Sequence, residues 1–414
     1  MGVSLVRSAS VRHRDELVRH RDLAWLVSVM WPNADAELSP TRVPPGRRVA
    51  EAYAVMPNAE HPKLLLPFAS PGLVGPALRR YDDGMSGFAR TRRAISVRLA
   101  ASRAGWARFP PLVLSYERDP GPGELPSDYF RRVLGRPDTA LAISFGPPRP
   151  NRKPVAQVLT LDGDVLGFAK IGWNALTRDL LRNEASALRR WSARGPRTFR
   201  VPNVIHHAEW FGGRDVLVTG PVPMSPAREV RAGRLPSLDV IREIASIGGT
   251  GVMPLRETPW WRSVLRRLDV ADAAVATVIR WMGDLHGRRL IHHGSWHGDL
   301  AAQNMSTVGG RLHIWDWERA ADGAPLGLDP IHFHFQRALR GRHDVGRASR
   351  TAARRATTTL RALGVPREDD ALLSACHLAD IVLRFEEGRH HGADIRPGMT
   401  PALLAELRRS VGRA

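Results

Sequence analysis

The sequence has almost no cysteine and no long hydrophobic segment. Its 414 residues include one cysteine, Cys376, so no disulfide can form within the chain, which is typical of a reducing compartment. No apolar run approaches the roughly 20 residues that a transmembrane helix needs. The most apolar early stretch, residues 23–31, follows a charged segment and lacks the cleavage site of a signal peptide. We therefore expect a cytoplasmic protein that does not enter the membrane.

Lysine is also scarce. Only three of the 61 basic residues are lysines, Lys63, Lys153 and Lys170. A lysine that remains in a structured segment can mark a position where a compact ammonium works and a planar guanidinium does not. For Lys63 and Lys153 the simpler interpretation is chance retention in an arginine-biased sequence. Lys170 differs from both because it interrupts an apolar, strand-like segment.

Positive charge is in excess along the whole chain. The 61 basic residues face 41 acidic ones, a formal net charge of +20, and such an excess attracts nucleic acids, nucleotides and acidic lipids. The densest patch, residues 337–355, has seven arginines and one acidic residue, Asp344, which on a helix is typical of a solvated face. Nucleic-acid binding is the least favoured hypothesis, because the other arginines are dispersed and no nucleic-acid-binding module is recognisable.

The first 135 residues have the pattern of a separate α/β unit. Residues 118–127 contain three prolines and two glycines, the composition of a linker. No chemistry is evident in this unit, and packing or partner binding is its expected role. Its predicted elements are a helix over 15–31, strands over 50–56 and 63–68, two helices within 74–105 and a strand over 111–117.

Residues 136–222 have the pattern of a small β-rich domain. Gly220-Pro221-Val222-Pro223 ends it by breaking regular backbone structure. A helix is predicted over 176–191, between the third and fourth strands. Three strands, a helix, two strands and a Gly/Pro connection is the element order of a kinase small lobe. The predicted strands are 139–145, 155–161, 165–172, 203–210 and 214–219.

Residues 223–414 are largely helical by periodicity. Residues 287–303 are predicted to form a loop, followed by short strands over 304–308 and 311–316. The predicted fold is therefore α+β, with a β-rich lobe before a helical lobe. The predicted helices are 269–286, 330–341, 347–363, 369–387 and 400–411.

The residues that can carry chemistry lie in that loop and in the strands after it. Asp299 stands two residues after His297, Asn304 follows five residues later, and Asp316 ends the second strand. Phosphoryl transfer to a hydroxyl needs a carboxylate that accepts or orients the hydroxyl proton, and oxygen ligands that hold Mg²⁺ against the phosphates. Asp299 is the candidate base, and Asn304 and Asp316 are the candidate metal ligands.

This pattern resembles the aminoglycoside phosphotransferase and choline kinase families of the protein-kinase-like superfamily. Their catalytic loop has the same spacing of His, Asp and Asn. Their second metal-binding aspartate is followed by an aromatic residue and a glutamate, as Asp316 is followed by Trp317 and Glu318. Gly298 stands where protein kinases have arginine, which favours the small-molecule branch. The resemblance covers residues 139–335 and implies a two-lobed kinase-like fold that transfers the γ-phosphate of ATP, with Mg²⁺, to a hydroxyl of a small molecule.

The resemblance also implies roles for other residues. His297 would brace the catalytic loop by hydrogen bonding. Asp329 would either tie down this loop or cap the helix that begins near Pro330. A metal-binding alternative exists for His297 because three further histidines lie nearby, but they lack the helical spacing of zinc hydrolases.

In the small lobe, the resemblance implies a pair of charged residues at the phosphates. Lys170 would contact the α and β phosphates, and Glu184, fourteen residues later on the following helix, would pair with it. The alternative is a surface lysine and an unrelated glutamate. Thr219 and Pro221 lie in the segment that would form the adenine-binding connection between lobes.

The loop between the first two strands of this lobe departs from the family pattern. It has one glycine, Gly146, and three prolines, and proline has no N–H to donate to a phosphate. Gly146 remains the predicted phosphate-loop residue, with Arg149, Arg152 or Lys153 as charged substitutes. This loop motivates the alternative function of a kinase-like nucleotide-binding protein with weak catalysis.

Neither the acceptor nor the oligomeric state can be read from the sequence. A polycationic acceptor would need an acidic pocket, and the two candidate groups are residues 368–370 and 386–387. We interpret both as solvated surface.

Overall fold

The computed structural model describes residues 20–39, 46–79, 96–146, 149–222, 234–340, 344–393 and 398–414. The chain forms two compact units. The first, termed the sheet unit, comprises the chain up to Pro147 with Lys153–Trp173 and Val204–Pro221. The second, termed the helical unit, comprises Pro148–Arg152, Asn174–Asn203 and Val222–Ala414.

Fifteen strands are present in the described ranges. They are β1 (Asp35–Leu38), β2 (Arg48–Met56), β3 (Leu64–Pro67), β4 (Pro111–Tyr116), β5 (Thr139–Ser144), β6 (Val155–Thr160), β7 (Val165–Gly172), β8 (Phe199–Arg200), β9 (Val204–Trp210), β10 (Arg214–Thr219), β11 (Gly251–Pro254), β12 (Leu290–Trp296), β13 (Met305–Val308), β14 (Arg311–Ile314) and β15 (Ala321–Pro325).

The α-helices of the same ranges are α1 (Arg21–Met30), α2 (Val74–Arg79), α3 (96–101), α4 (Arg103–Trp106), α5 (Pro126–Leu134), α6 (Ala175–Arg194), α7 (Leu238–Ser246), α8 (Pro259–Arg267), α9 (Ala273–His286), α10 (Leu328–Leu339), α11 (Val345–Ala362), α12 (Asp370–His390) and α13 (Met399–Val411). Two 3-10 turns also matter for the site, Ala302–Asn304 and Trp317–Arg319.

One antiparallel sheet of nine strands organises the sheet unit. Its strand order is β1-β4-β2-β3-β5-β6-β7-β10-β9. β3 pairs with β5, with Leu64 opposite Ser144 and Leu65 opposite Ile143. The predicted boundary near residue 135 therefore does not separate two units, because strands from both sides of it share backbone hydrogen bonds. Pairing with β3 covers the edge that β5 would otherwise expose.

Packing joins the same two regions. Leu23, Leu26 and Met30 on α1 are fully buried, in the helical i, i+3, i+7 pattern of an apolar face. They belong to one hydrophobic core with Ile143 and Val158 of the central strands. The N-terminal segment is therefore part of the core that supports the small-lobe strands.

Most predicted elements that fall on described residues are confirmed within a few residues, but three differ. Residues 15–19 of the first predicted helix and residues 80–95 of the two helices predicted within 74–105 lie outside the described residues. The linker assigned to residues 118–127 ends at Pro126, where α5 begins with proline in its first turn. The helix predicted from residue 269 begins at Ala273, because the Asp272 side chain accepts from Ala274 N and caps it. The predicted loop over 287–303 contains β12, which pairs with β11 and β15. Its sequence, rich in histidine, has no strong hydrophobic alternation.

The helical unit places the ends of two short strands beside its core. β12 lies in one three-stranded sheet and β14 in another, and each leads directly into a segment with candidate site residues. α12 runs through the core, and its apolar residues are buried almost throughout. This fold of helices and antiparallel strands is α+β, as predicted. None of the helices in the described ranges has the length and hydrophobicity needed to cross a bilayer.

Candidate active site

His297 braces the loop that follows β12. It is fully buried, its Nε2 lies 3.1 Å from the Trp315 carbonyl oxygen, and its Nδ1 accepts from Asp299 N at 3.1 Å. A carbonyl only accepts and a backbone N–H only donates, so the hydrogen sits on Nε2 and the ring is neutral. Burial lowers the pKa of His297, against the opposing charges of Asp329 and Asp299. These two hydrogen bonds join the beginning of the loop to the segment after β14.

Asp329 holds the same loop from α10. Its Oδ2 accepts from His297 N at 2.7 Å and its Oδ1 accepts from Gly298 N at 3.1 Å. Burial raises the pKa of Asp329, although His297 and these two N–H groups act in the opposite direction. Of the two alternatives for this residue, tying down the loop is the one that the hydrogen bonds support.

The surroundings of Gly298 leave no room for a side chain. Its φ is +83°, and a Cβ at this position would lie 2.2 Å from the Arg319 carbonyl oxygen. Its own carbonyl accepts from Arg384 Nη2 at 2.6 Å. The loop can therefore approach Arg319 this closely only with glycine.

Asp299 is held at both of its carboxylate oxygens. Oδ1 lies 2.9 Å from His332 Nε2, and Oδ2 accepts from Asn304 Nδ2 at 2.9 Å. Burial alone would raise the pKa of Asp299, but the hydrogen bond and charge of His332 outweigh it, so this pKa lies below its ordinary value. The side chain remains 26% exposed. It is thus an oriented, ionised carboxylate that a substrate can reach.

Asn304 presents its amide oxygen away from Asp299. Its Nδ2 donates to the Asp299 carbonyl oxygen at 2.8 Å as well as to Oδ2. Because both partners are acceptors, the orientation of the amide is determined by chemistry. The Oδ1 of Asn304 is then the atom that can serve as a neutral metal ligand.

Asp316 adopts an unusual backbone conformation. Its φ of +68° and ψ of +50° are left-handed, and among the non-glycine residues of the described ranges only Ser39 also has a positive φ. Such a residue costs about 1–3 kcal/mol and is typical of functional sites, where the surrounding structure enforces it. The turn Trp317–Arg319 follows directly.

Three carboxylates meet at this turn. Oxygens of Glu184, Asp316 and Glu318 lie within 4.8 Å of one another, and Glu184 and Glu318 are buried. Negative charges this close repel one another unless a cation lies near them, and an all-oxygen donor set fits Mg²⁺. The sequence analysis did not assign Glu318 to the site; its place two residues after Asp316 was the available signal.

Packing holds the turn against α6. The Trp317 ring is buried, with its centroid 4.4 Å from that of His297 and 5.4 Å from that of Trp191. Asn183 Nδ2 donates to the carbonyl oxygens of Glu318 and Ala320, both at 2.9 Å. These contacts bring the helix that carries Glu184 to the turn that carries the other two acids.

A buried ion-pair network supports the loop from α12. Arg384 Nε donates to Asp380 at 2.7 Å, and Arg267 binds both Asp380 and Glu387 at 2.7 Å. Burial would raise the pKa of Asp380, but Arg384 and Arg267 lower it far below its ordinary value. Because Arg384 also binds the Gly298 carbonyl, the network supports the position of the loop that follows β12.

The interpretation of the two acidic groups as solvated surface is wrong for most of their members. Glu386 is 1% exposed, and Glu387 and Asp369 are largely buried. Asp369 pairs with Arg289 at 2.9 Å, and Glu386 pairs with Arg389 at 2.6 Å. Ion pairing with arginines of the same unit makes this burial possible. The arginine-rich patch is solvated as predicted, since all of its described arginines are exposed.

The remaining predicted site residues lie in the sheet unit. Lys170 is on β7, opposite Val155 and Leu217 of the neighbouring strands. Thr219 ends β10, and Pro221 and Gly146 lie in the connections after β10 and β5. Pro147 and Pro148 of the predicted phosphate loop lie outside the described residues. The roles of Lys170, Gly146, Thr219 and Pro221 in nucleotide binding, and the pairing of Lys170 with Glu184, stay predictions.

Lys153 does not fit its interpretation as an incidental lysine. It is 1% exposed, and a buried ammonium is costly unless other groups compensate its charge.

Comparisons with known proteins found similarity only at the level of structure. The sequence matches no protein-family model and no curated protein. Among solved structures it is similar to the choline kinase LicA from Streptococcus pneumoniae, with 13% identity, a TM-score of 0.39, and coverage of 63% of this chain and 89% of that chain. A structure of the aminoglycoside phosphotransferase APH(4)-Ia has 14% identity, a TM-score of 0.45, and coverage of 69% and 98%.

A third similar structure is the amicoumacin kinase hAmiN in complex with AMP-PNP, Ca²⁺ and Ami, with 12% identity, a TM-score of 0.41, and coverage of 65% of this chain and 87% of that chain. All three TM-scores are below 0.5. The chain is thus similar to these three structures over about two thirds of its length.

Proposed function

We propose that this protein is an ATP- and Mg²⁺-dependent phosphotransferase that transfers the γ-phosphate of ATP to a hydroxyl group of a small molecule. The observation that carries the proposal is the arrangement around Asp299. An ionised, partly exposed carboxylate is fixed by Asn304. Asn304 directly precedes the strand pair β13–β14, and Asp316 follows that pair by two residues with a strained backbone. A base and oxygen ligands for Mg²⁺ are the groups that this reaction requires.

The proposed reaction assigns one task to each group. The acceptor oxygen forms a bond to the γ-phosphorus while the bond from that phosphorus to the β,γ-bridging oxygen breaks, and the hydroxyl proton passes to Asp299. Asn304 and Asp316 would hold Mg²⁺, with Glu184 and Glu318 beside Asp316. Bound Mg²⁺ would neutralise charge on the β and γ phosphates. Lys170 keeps the phosphate-binding role that the family resemblance implies.

The acidic side chains of the helical unit argue against a polycationic acceptor. Four of the five carboxylates that were candidates for a cation pocket are engaged by arginines, as in the pairs of Asp369 with Arg289 and of Glu387 with Arg267. A polycation would have to displace these buried partners, which is costly. We therefore expect a neutral or anionic alcohol as the acceptor.

One feature favours the second candidate, a kinase-like protein that binds nucleotide without efficient turnover. The loop from Gly146 to Pro150 contains three prolines and one glycine, so few backbone N–H groups are available to hold phosphates. A nucleotide-dependent thermal shift without ATP consumption, across a broad panel of acceptors, would favour this second function.

The direct test follows ATP consumption by ³¹P NMR with alcohols, sugars, sugar phosphates and amino alcohols, with and without Mg²⁺. With the acceptor that supports turnover, Asp299→Asn should lower kcat by about 10²- to 10⁴-fold, the range for loss of a general base. The fold should survive, because asparagine has nearly the same size and shape as aspartate. Asp316→Asn should abolish stimulation by Mg²⁺.

The matched control is Asp284→Asn, an exposed acid on α9 in the same unit. It should leave kcat unchanged. Full turnover by Asp299→Asn, or Mg²⁺-independent turnover by the wild type, would contradict the proposed function.

A further inference from the structure

Two buried histidines lie behind Asp299, and the proposed reaction assigns them no task. His332 on α10 is 0% exposed and His377 on α12 is 1% exposed. Nε2 of His332 lies 2.9 Å from Asp299 Oδ1, and its Nδ1 lies 3.2 Å from Nε2 of His377. The three side chains form a continuous line of hydrogen-bonding atoms from the reactive carboxylate into the core.

The chemistry of the partners determines where the hydrogens lie. An ionised Asp299 can only accept, so Nε2 of His332 carries a hydrogen and donates it. A single hydrogen then occupies the contact between the two rings, on either Nδ1 of His332 or Nε2 of His377. Both arrangements keep Nε2 of His332 as the donor to Asp299. When this hydrogen sits on Nε2 of His377, Nδ1 of a neutral His332 can only accept, so the other neutral tautomer of His332, in which Nε2 has no hydrogen, is disfavoured. When it sits on Nδ1 of His332, that ring carries two hydrogens and is cationic.

The groups around His377 keep this ring neutral. Burial lowers the pKa of His377 well below its ordinary value, and the neighbouring His332 and Arg384 act in the same direction, against Asp380. Asp380 and Arg384 share α12 with His377, and Phe335 packs its ring against it from α10, with the centroids 4.9 Å apart. A neutral imidazole in this position can serve as hydrogen-bond partner without placing a second charge in the core.

Core packing alone does not account for the pair. Residues next to His332 on α10 include Ile331, Phe333 and Phe335, all buried and apolar. Burying polar rings costs free energy that apolar side chains of similar size do not incur. Polar groups are retained in such a core where their hydrogen bonds have a specific use.

We infer that His332 is a positioning residue for Asp299 and that His377 acts through it, by holding His332 in the tautomer that donates to Asp299 Oδ1. Together with the bond from Asn304 to Oδ2, this donor fixes the plane of the carboxylate toward the acceptor hydroxyl. The inference rests on the proposed phosphotransfer function and adds two residues that neither the motif nor its spacing indicates.

The test compares His332→Leu with His332→Gln, whose amide can still donate near the former Nε2 position. His332→Leu should lower kcat by about 10- to 100-fold, the scale expected when a reacting group is misplaced by about 1 Å. KM for ATP should stay within about twofold, because the nucleotide contacts are untouched. His332→Gln should recover most of the lost kcat. His334→Leu, on the same helix and without contact to Asp299, is the matched control and should leave kcat unchanged.

A double-mutant cycle tests the role of His377. His377→Leu should lower kcat in the wild-type background and have no further effect in the His332→Leu background, because residues that act as one unit are not additive. Equal and independent losses would overturn the claim that His377 acts through His332. A His332→Leu protein that binds Mg²⁺–nucleotide and retains wild-type kcat, or a Gln variant as impaired as the Leu variant, would overturn the positioning role.

Two further results separate this inference from the function on which it rests. Wild-type protein that consumes no ATP with any acceptor contradicts the proposed function, whereas an active wild type with an unimpaired His332→Leu variant contradicts the inference alone. If the leucine variants do not fold, ¹⁵N NMR of the wild-type histidines decides. A His332 ring with no hydrogen on Nε2 would overturn the inference. A hydrogen-bearing Nε2 that loses this state in His377→Phe, whose ring has no hydrogen-bonding atom, would support it.

Discussion

Gly298 and Asp316 show how much of the site depends on single backbone conformations. Both have positive φ angles, yet for opposite reasons. Gly298 needs the absence of a Cβ because the Arg319 carbonyl is so close. Asp316 has a Cβ and adopts the conformation nonetheless, held by the buried Trp317 that follows it.

The Gly298→Ala variant should therefore lose more activity than its loss of folding stability can account for. The Cβ would force the loop away from Arg319, and we expect a loss of kcat of about 10²-fold, since small displacements of reacting groups are costly. The strained φ itself should cost about 1 kcal/mol. Kinetics and urea unfolding measure the two effects separately.

Gly309→Ala is the control for this substitution. Gly309 has a φ of +56°, and a Cβ there would meet no atom within 4 Å. It should show the loss of stability without the loss of kcat. Equal kinetic effects in both variants would contradict the steric explanation for Gly298.

At the scale of elements, α6 and the Trp317–Arg319 turn act as one assembly. Asn183 supplies two hydrogen bonds from the helix to carbonyl oxygens of Glu318 and Ala320. It stands directly before Glu184, so its contacts determine how close that carboxylate comes to Asp316. The proposed Mg²⁺ site depends on this docking as much as on its ligands.

Asn183→Ala should raise the Mg²⁺ concentration for half-maximal activity by roughly 10-fold, the lower end of the range for residues that orient metal ligands. Arg189→Ala, an exposed position on the same helix, serves as control because it changes only the solvent face. Titration of activity with Mg²⁺ at saturating ATP measures the effect. Identical Mg²⁺ dependence in the two variants would show that Asn183 does not support the site.

At the scale of the whole molecule, several histidines are buried in neutral form. Burial lowers the pKa of His297 and His377, and it lowers that of His334 to about 4, helped by Arg355 and Arg337. In the unfolded chain a histidine takes up a proton near pH 6.5. Below that pH the unfolded state binds more protons than the folded state, so the free energy of unfolding falls as the pH falls.

We expect the urea midpoint of the wild type to decrease between pH 7.5 and pH 5. His334→Gln, which lies outside the proposed active site, should make this decrease shallower. Between pH 6.5 and about 4, His334 is protonated in the unfolded chain but still neutral in the folded protein, so it lowers the free energy of unfolding as the pH falls. The measurement is equilibrium unfolding at matched ionic strength. A pH slope unchanged by His334→Gln would show that this ring does not contribute.

Sequence reasoning reached the elements and the local motif of the site, but missed contacts between distant segments. It identified Asp299, Asn304 and Asp316 because one loop and one hairpin hold them. It left the role of Asp329 open, and it missed Glu318, His332, His377 and Arg384. Nothing in a single sequence distinguishes His332 from the other histidines among the sixteen in the chain.

By itself, the sequence determined the local features of this protein. Periodicity and turn residues specify elements such as β5 to β7 and α6, and the five-residue step from Asp299 to Asn304 places both side chains in one loop. Only the tertiary structure decided that β3 pairs with β5 and that His332 meets Asp299. The physical reason is that backbone propensities act over a few residues, whereas these contacts depend on which surfaces the whole core brings together.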